Sequence, residues 1–223
     1  MLTYYITDRK QFGGDEGAQR AKLLRTTAAA SAAGVDYIQL REKDLAIVEL
    51  ESLAREALRA VRSGGNARLL INHRTDIALA AGLDGVHLAS ADLSASEARA
   101  LASKAGRREF LVAVSCHSAS ELRLAEAHGA DFVVLAPIFE KVATASSGIG
   151  LDALREAAPR DRKPDMRVEA GNTRTCFAVF ALGGVTLENA ALCAAAGADG
   201  VAGIRLFQQA TELLTVVRHV RAL

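Results

Sequence analysis

Apolar residues fall along this chain in short runs, each followed by a longer alanine- and leucine-rich stretch. Eight runs read as strands: Leu2–Thr7, Tyr37–Leu40, Leu69–Ile71, Val86–Leu88, Phe110–Ala113, Phe132–Leu135, Phe177–Leu182 and Gly200–Ala202. Helical patterns such as Val48–Val61 and Ser94–Lys104 separate nearly all of them. One phrase recurs four times: AAGVDYIQL at 32–40, AAGLDGVHL at 80–88, EAHGADFVVL at 126–135 and AAGADGVAG at 195–203. Each copy reads as a helix end capped by Gly, a tight turn, an Asp and a buried strand. The first three glycines, Gly34, Gly82 and Gly129, lie 48 and 47 residues apart, which is two strand–helix units of roughly 24 residues each. The last gap, to Gly197, is 68 residues, so an insertion of about 20 residues sits within it. Eight such units predict an α/β fold, a single (β/α)8 TIM barrel over residues 1–223, with a doubly wound open sheet as the rival. The charged segment Pro159–Arg174 breaks the pattern and is expected to be an atypical loop or link ahead of the seventh strand, not a second domain.

Composition narrows the function. Half of the 223 residues are hydrophobic but only 4% are aromatic, so a core of Ala, Val, Leu and Ile is expected. The net charge of +1 gives no broad footprint for nucleic acid. Cys116, Cys176 and Cys193 are odd in number and unclustered, which suits a reducing compartment and neither a disulfide framework nor a zinc site. The chain opens directly into LTYYIT, without a signal-like leader or an 18-residue apolar span. A cytoplasmic protein that engages no membrane is expected. The outer helices leave pairing into a homodimer open.

In barrels of this kind the reactive groups lie just past the C-terminal ends of the strands. Gln39, Arg41 and Lys43 alternate after the second strand, and in an extended segment they point one way, suiting a diphosphate. The rival reading is a solvated turn of alternating sign, REKD. Asn72 and His73 come after the third strand. Asp92, after the fourth, can hold magnesium or cap the next helix. Ser115, Cys116 and His117 come after the fifth. His117 is either a general acid–base or a hydrogen-bonding rim residue; Cys116 is expected to be packed. Glu140 and Lys141 come after the sixth. Gly183 and Gly184 after the seventh strand, with Gly203 and Ile204 after the eighth, form either ordinary turns or a phosphate site built from backbone N–H groups. His73, His87 and His128 lack metal-ligand spacing, and His219 reads as a solvated residue of the last helix.

Several segments together resemble one family. YYITD at 4–8, GVDYIQLREKD at 34–44, LLINHRTDIALAAGLDGVHLASADLS at 69–94, VSCHSASEL at 114–122, GADFVVLAPIF at 129–139 and ALGGVTLENAALCAAAGADGVA at 181–202 are similar to the thiamine phosphate synthase family, whose superfamily includes a thiazole tautomerase branch. The resemblance covers most of the chain in order and fails mainly at 140–178. It implies joining of hydroxymethylpyrimidine diphosphate to thiazole phosphate with loss of pyrophosphate. In that scheme Gln39, Arg41, Lys43 and Asn72 hold the pyrimidine diphosphate. Asp92 binds magnesium, Ser115 meets the leaving diphosphate, and Gly183 and Gly184 receive the thiazole phosphate. Three departures surround the diphosphate. His73 stands where the family has a second magnesium carboxylate. FEKVATASSGIG replaces a Pro-Thr-x-Thr-Lys segment, and Lys141 is not at its lysine's offset. His87–Ser90 reads His-Leu-Ala-Ser in place of His-Leu-Gly-Gln. Phe139, Glu140 and His117 match the tautomerase branch, which would need no metal. A third reading is a non-catalytic thiazole-phosphate binder, with Arg205 perturbing the site after the eighth strand.

Overall fold

The structure is a computed structural model that describes residues 1–89, 92–139, 148–157 and 177–223. Ser90, Glu140, Lys141, Cys176 and the 159–174 segment lie outside the described residues. Eight parallel strands pair in chain order and close on themselves: β1 (Leu2–Ile6), β2 (Tyr37–Leu40), β3 (Arg68–Asn72), β4 (Gly85–Leu88), β5 (Leu111–Cys116), β6 (Phe132–Leu135), β7 (Ala178–Ala181) and β8 (Gly200–Gly203). Pairing of β1 with β8 rules out the open sheet. The helices are α1 (Glu16–Ala32), α2 (Ile47–Gly64), α3 (Thr75–Ala81), α4 (Ala95–Lys104), α5 (Ala119–Ala127), α6 (Gly150–Ala157), α7 (Ala190–Ala195), α8 (Arg205–Gln208) and α9 (Leu213–Arg221). No helix among the described residues is long and apolar enough to cross a membrane.

Alternation along the strands produces two separate cores. Outward residues such as Ile38, Leu69, Val86, Val112, Val133 and Val201 pack under the helices, and that layer is mainly aliphatic, as the composition suggests. The barrel interior differs. Tyr4, Tyr37, Phe132 and Phe180 fill it, with ring centroids 4.8–6.0 Å apart. Four of the ten aromatics thus meet at the centre of the barrel, where their bulk fills the space between the strands. Gly200 makes room for them: a Cβ there would stand 2.4 Å from the Phe180 ring.

The repeated Gly-x-Asp phrase closes the bottom of the barrel. Gly34, Gly82, Gly129 and Gly197 all hold positive φ, between 74° and 94°, in the turn before β2, β4, β6 and β8. They therefore lie at the rim opposite the strand C-termini. Two residues on, each Asp joins the strands on either side. The carboxylates of Asp36, Asp84, Asp131 and Asp199 accept the backbone N–H of Thr3, Leu69, Val112 and Val179 at 2.7–2.9 Å. Their main-chain carbonyls accept from Arg68, Leu111, Ala178 and Leu2. Every odd strand is therefore held by the aspartate before it and the one after it. Arginines brace three of these carboxylates: Arg221 on Asp36, Arg62 on Asp84 and Arg99 on Asp131, at 2.7–3.0 Å.

Removing one such carboxylate leaves a buried amide without its acceptor. Asp84→Ala is expected to cost about 2–3 kcal/mol, the scale of a charge-assisted bond lost from a buried donor. Asp84→Asn, which keeps an acceptor oxygen, should cost less. Equal losses in urea unfolding would contradict the role assigned to the carboxylate.

Candidate functional site

At the C-terminal ends of the strands the inward positions divide the mouth in two. On β2 to β5 they are polar: Gln39, Asn72, His87 and Ser115. On β6 to β8 they are Val134, Leu182 and Ile204, the last two just past their strands. Gln39 is buried, and its Nε2 donates to Asn72 Oδ1 at 3.1 Å, so two expected site residues meet. Ser115 Oγ lies 2.9 Å from His87 Nε2, and His87 Nδ1 lies 2.9 Å from the hydroxyl of the fully buried Tyr4. Burial, then the nearby charges of His73 and Arg41, push the His87 imidazole down to about 3. The ring is therefore neutral and carries one proton between two hydroxyl partners. Sequence reasoning puts the His87–Ser90 segment beside the diphosphate but gives neither Tyr4 nor the His87 side chain a role there. The signal that could have found them is an inward-facing His in an otherwise apolar strand, in register with Asn72.

The REKD segment is neither a plain solvated turn nor a uniform extension of β2. Its charges are sorted. Arg9, only 2% exposed, grips Asp44 with two nitrogens at 2.6 and 2.8 Å and Glu42 with one at 3.0 Å, while its Nε reaches Glu16 at 2.7 Å. Glu42 also accepts from the Thr7 hydroxyl at 2.7 Å and from the Arg9 backbone N–H. Burial raises the Glu42 carboxyl, and the bonds from Thr7 and Arg9 pull it back. The Arg9 guanidinium holds Asp44 well below the usual carboxylate range. The acids are consumed by Arg9. Arg41 and Lys43, the bases, have no ion-pair partner among the described residues. Arg41 follows directly on β2, two residues past the inward-facing Gln39, at the strand end that forms the mouth.

Asp92 does not cap α4; Ser94 does, accepting from the Glu97 N–H while the Glu97 carboxylate accepts from the Ser94 N–H. The Asp92 carboxylate instead turns toward the mouth. Its Oδ2 accepts the Ala89 N–H at 2.7 Å and makes a very short contact with His73 Nδ1. His73 sits at φ +64°, a left-handed conformation uncommon for a residue other than glycine. His117 is exposed, and its Nδ1 lies 2.7 Å from the Ala136 carbonyl. A carbonyl only accepts, so Nδ1 carries the proton and Nε2 is left as the exchangeable nitrogen. Cys116 is fully buried and its thiol is pushed up to about 12 by burial, so it is packed and inert. Among the described residues no three His, Cys, Asp or Glu side chains gather as a metal centre.

Past β7 and β8 two turns lie side by side. Gly183 holds φ +98° and packs so closely on Pro137 that a Cβ would come within 2.7 Å of the Pro137 backbone. Gly184 comes next at φ +66°, its carbonyl held by Asn189 Nδ2 at 2.9 Å. Gly203 and Ile204 lead into α8, where Arg205 is exposed. Two left-handed glycines beside a helix start suit an anionic oxygen.

Free cations after β2 on one side and glycine turns with apolar side chains on the other define a (β/α)8 mouth suited to anionic small molecules. Comparison with known proteins narrows the class. The family model described as thiamine monophosphate synthase matches residues 3–207. A putative thiamine-phosphate synthase 2 of Aquifex aeolicus is 38% identical over 92% of this chain and 96% of its own. A thiamine-phosphate synthase of Moorella thermoacetica is 34% identical over 97% and 93%. The chain belongs to the thiamine monophosphate synthase family. A thiamine phosphate pyrophosphorylase from Pyrococcus furiosus superposes with a TM-score of 0.75 at 24% identity, covering 99% of this chain and 94% of that one, which bears on the fold alone.

Because the His87 imidazole is depressed from 6.5 to about 3 in the fold, only the unfolded chain takes up its proton between those values. Stability should therefore fall as pH drops through that window. His87→Gln should flatten the fall by up to about 1.4 kcal/mol per pH unit. Urea unfolding across the window measures it, and parallel curves for the two proteins would be the contrary result.

Proposed function

We propose that this protein is a thiamine-phosphate synthase. It joins the methylene carbon of hydroxymethylpyrimidine diphosphate to the ring nitrogen of a thiazole phosphate. The carbon–oxygen bond to diphosphate breaks, the diphosphate leaves with the electron pair, and the thiazole nitrogen lone pair forms the new carbon–nitrogen bond. The observation that carries this reading is the sorting of charge at the REKD segment. Arg9 sequesters Glu42 and Asp44, which leaves Arg41 and Lys43 for an anion. Gln39 and Asn72, already bonded to each other, supply the amide groups that orient the pyrimidine. Ser115, aligned by His87, donates to the departing diphosphate. Gly183, Gly184, Gly203 and Ile204 hold the thiazole phosphate from the opposite half. The protein acts by positioning two substrates and stabilising leaving-group charge. The same reading makes residues 1–223 one barrel domain working in the cytoplasm on small phosphorylated substrates.

Magnesium is the ion the family implies. The donor set here does not fit a site with two carboxylates. Asp92 supplies one carboxylate, already engaged by the Ala89 N–H and His73, and an imidazole stands at the second position. A hard cation of this kind prefers oxygen ligands. The diphosphate charge is accordingly assigned to Arg41 and Lys43. A second reading, metal-independent thiazole tautomerisation, is favoured by one observation: the Ala136 carbonyl fixes His117 with Nε2 ready to take a proton.

Arg41→Ala should weaken binding of the pyrimidine diphosphate by about 1.5–3 kcal/mol, the scale of hydrogen bonds to charged groups, with the unfolding curve unchanged. Calorimetry showing parental affinity would remove Arg41 from the site. His73→Asp should raise magnesium affinity on the order of tenfold and quicken pyrophosphate release; aspartate also tolerates the left-handed backbone. His117→Ala separates the two reactions. A loss of roughly 100-fold in metal-independent isomerisation, with no pyrophosphate released by the parent, would favour the tautomerase. Pyrophosphate release that survives the substitution supports the synthase.

A further inference from the structure

A second cavity, of about 570 Å³, lies outside the barrel between α1, the segment after β1, and the α8–α9 turn. That volume falls in the range of small-molecule sites. The barrel wall separates it from the mouth: Tyr5, an outward residue of β1, packs on Phe207 behind it, with ring centroids 5.9 Å apart. Its lining has a definite polarity. Phe12, Phe207 and Leu213 form an apolar wall. Lys22 and Arg25, three residues apart on α1 and so on one helix face, stand over it. The Lys22 ammonium sits 5.0 Å above the Phe12 ring centroid, a cation–π contact that holds the charge at the cavity.

Three further observations give the ligand's sign. Among the described residues no carboxylate lines the cavity. Neither Lys22 nor Arg25 has an ion-pair partner among the described residues, whereas Arg20 on the same helix is paired with Glu56 at 3.1 Å. The Gln208 amide at the floor is already spent, since its oxygen accepts from the Tyr5 hydroxyl and the Asp8 N–H and its nitrogen donates to the Asp8 carbonyl. Of the remaining polar lining, Gln11, Thr26 and Gln209 are neutral, so the charged groups at the cavity are the cations Lys22 and Arg25 beside an apolar wall.

We propose that this cavity binds a small amphipathic anion, an aromatic or short aliphatic body carrying one carboxylate, sulfonate or phosphate. The body lies against Phe12, Phe207 and Leu213, and the charged end meets Lys22 and Arg25. The site is separate from the mouth and does not rest on the reaction assigned there.

The test uses anilinonaphthalene sulfonate, whose rings and single sulfonate match this description, in a fluorescence titration of the folded chain. Saturable binding at one site is expected. Lys22→Glu with Arg25→Glu should weaken it on the order of tenfold or more, by reversing both charges. Lys22→Gln with Arg25→Gln should also weaken it, and both pairs should keep one cooperative urea transition, displaced only slightly by loss of the Lys22–Phe12 contact, because the two side chains are exposed. Arg41→Ala, at the mouth, should leave the titration as it is. Absence of saturable binding, binding indifferent to both Lys22/Arg25 pairs, or binding lost on Arg41→Ala instead would overturn the proposal.

Discussion

In a closed parallel barrel every strand begins at one rim, and the amides there must be bonded before the next layer of structure can form. This chain satisfies four of them with carboxylates placed in turns, one for each odd strand. Because the same aspartates accept the start of the next odd strand through their carbonyls, the ring is continuous. Register depends on that ring. A strand shifted by one residue would exchange the aromatic interior for the aliphatic exterior. The polar residues Gln39, Asn72, His87 and Ser115, staggered along neighbouring strands, all face inward at the far rim only because the near rim is fixed.

At the mouth the governing element is a single buried arginine. Arg9 makes no contribution to the ligand-facing charge, yet it determines that charge by holding Glu42 and Asp44. A buried guanidinium is stable only with such partners. The short segment after β2 thus presents cations on one side and acids on the other, and the loop after β1 is tied to it. The apolar half of the mouth and the left-handed glycines after β7 lie apart from that charged segment.

The barrel was legible in the sequence because its signals are local and repeated: glycine-capped helix ends, a turn aspartate and a short apolar run. Strand positions agree to within a few residues, although Asn72, Ser115 and Gly203, read as following their strands, are the ends of β3, β5 and β8 themselves. The long-range partnerships could not be read. Nothing beside Arg9 shows that it seeks carboxylates more than 30 residues away. His87 looks like one polar residue in an apolar strand until Tyr4 and Ser115 are brought to it. Asp92 precedes a helix as a cap would, but Ser94 and Glu97 form a better one, and the carboxylate is released to face His73. The interior aromatics are few enough to vanish into the composition, and only closure gathers them.

The left-handed backbone at residue 73 also constrains how this chain can change. Few side chains with a Cβ are at ease there, and those most often found are asparagine, aspartate and histidine. In the genetic code the codons for these three differ only at the first base. A carboxylate, an amide and an imidazole facing Asp92 are therefore one nucleotide change apart, with no backbone rearrangement between them. The side chain that faces Asp92 can thus be exchanged in a single step while the barrel beneath it stays as it is.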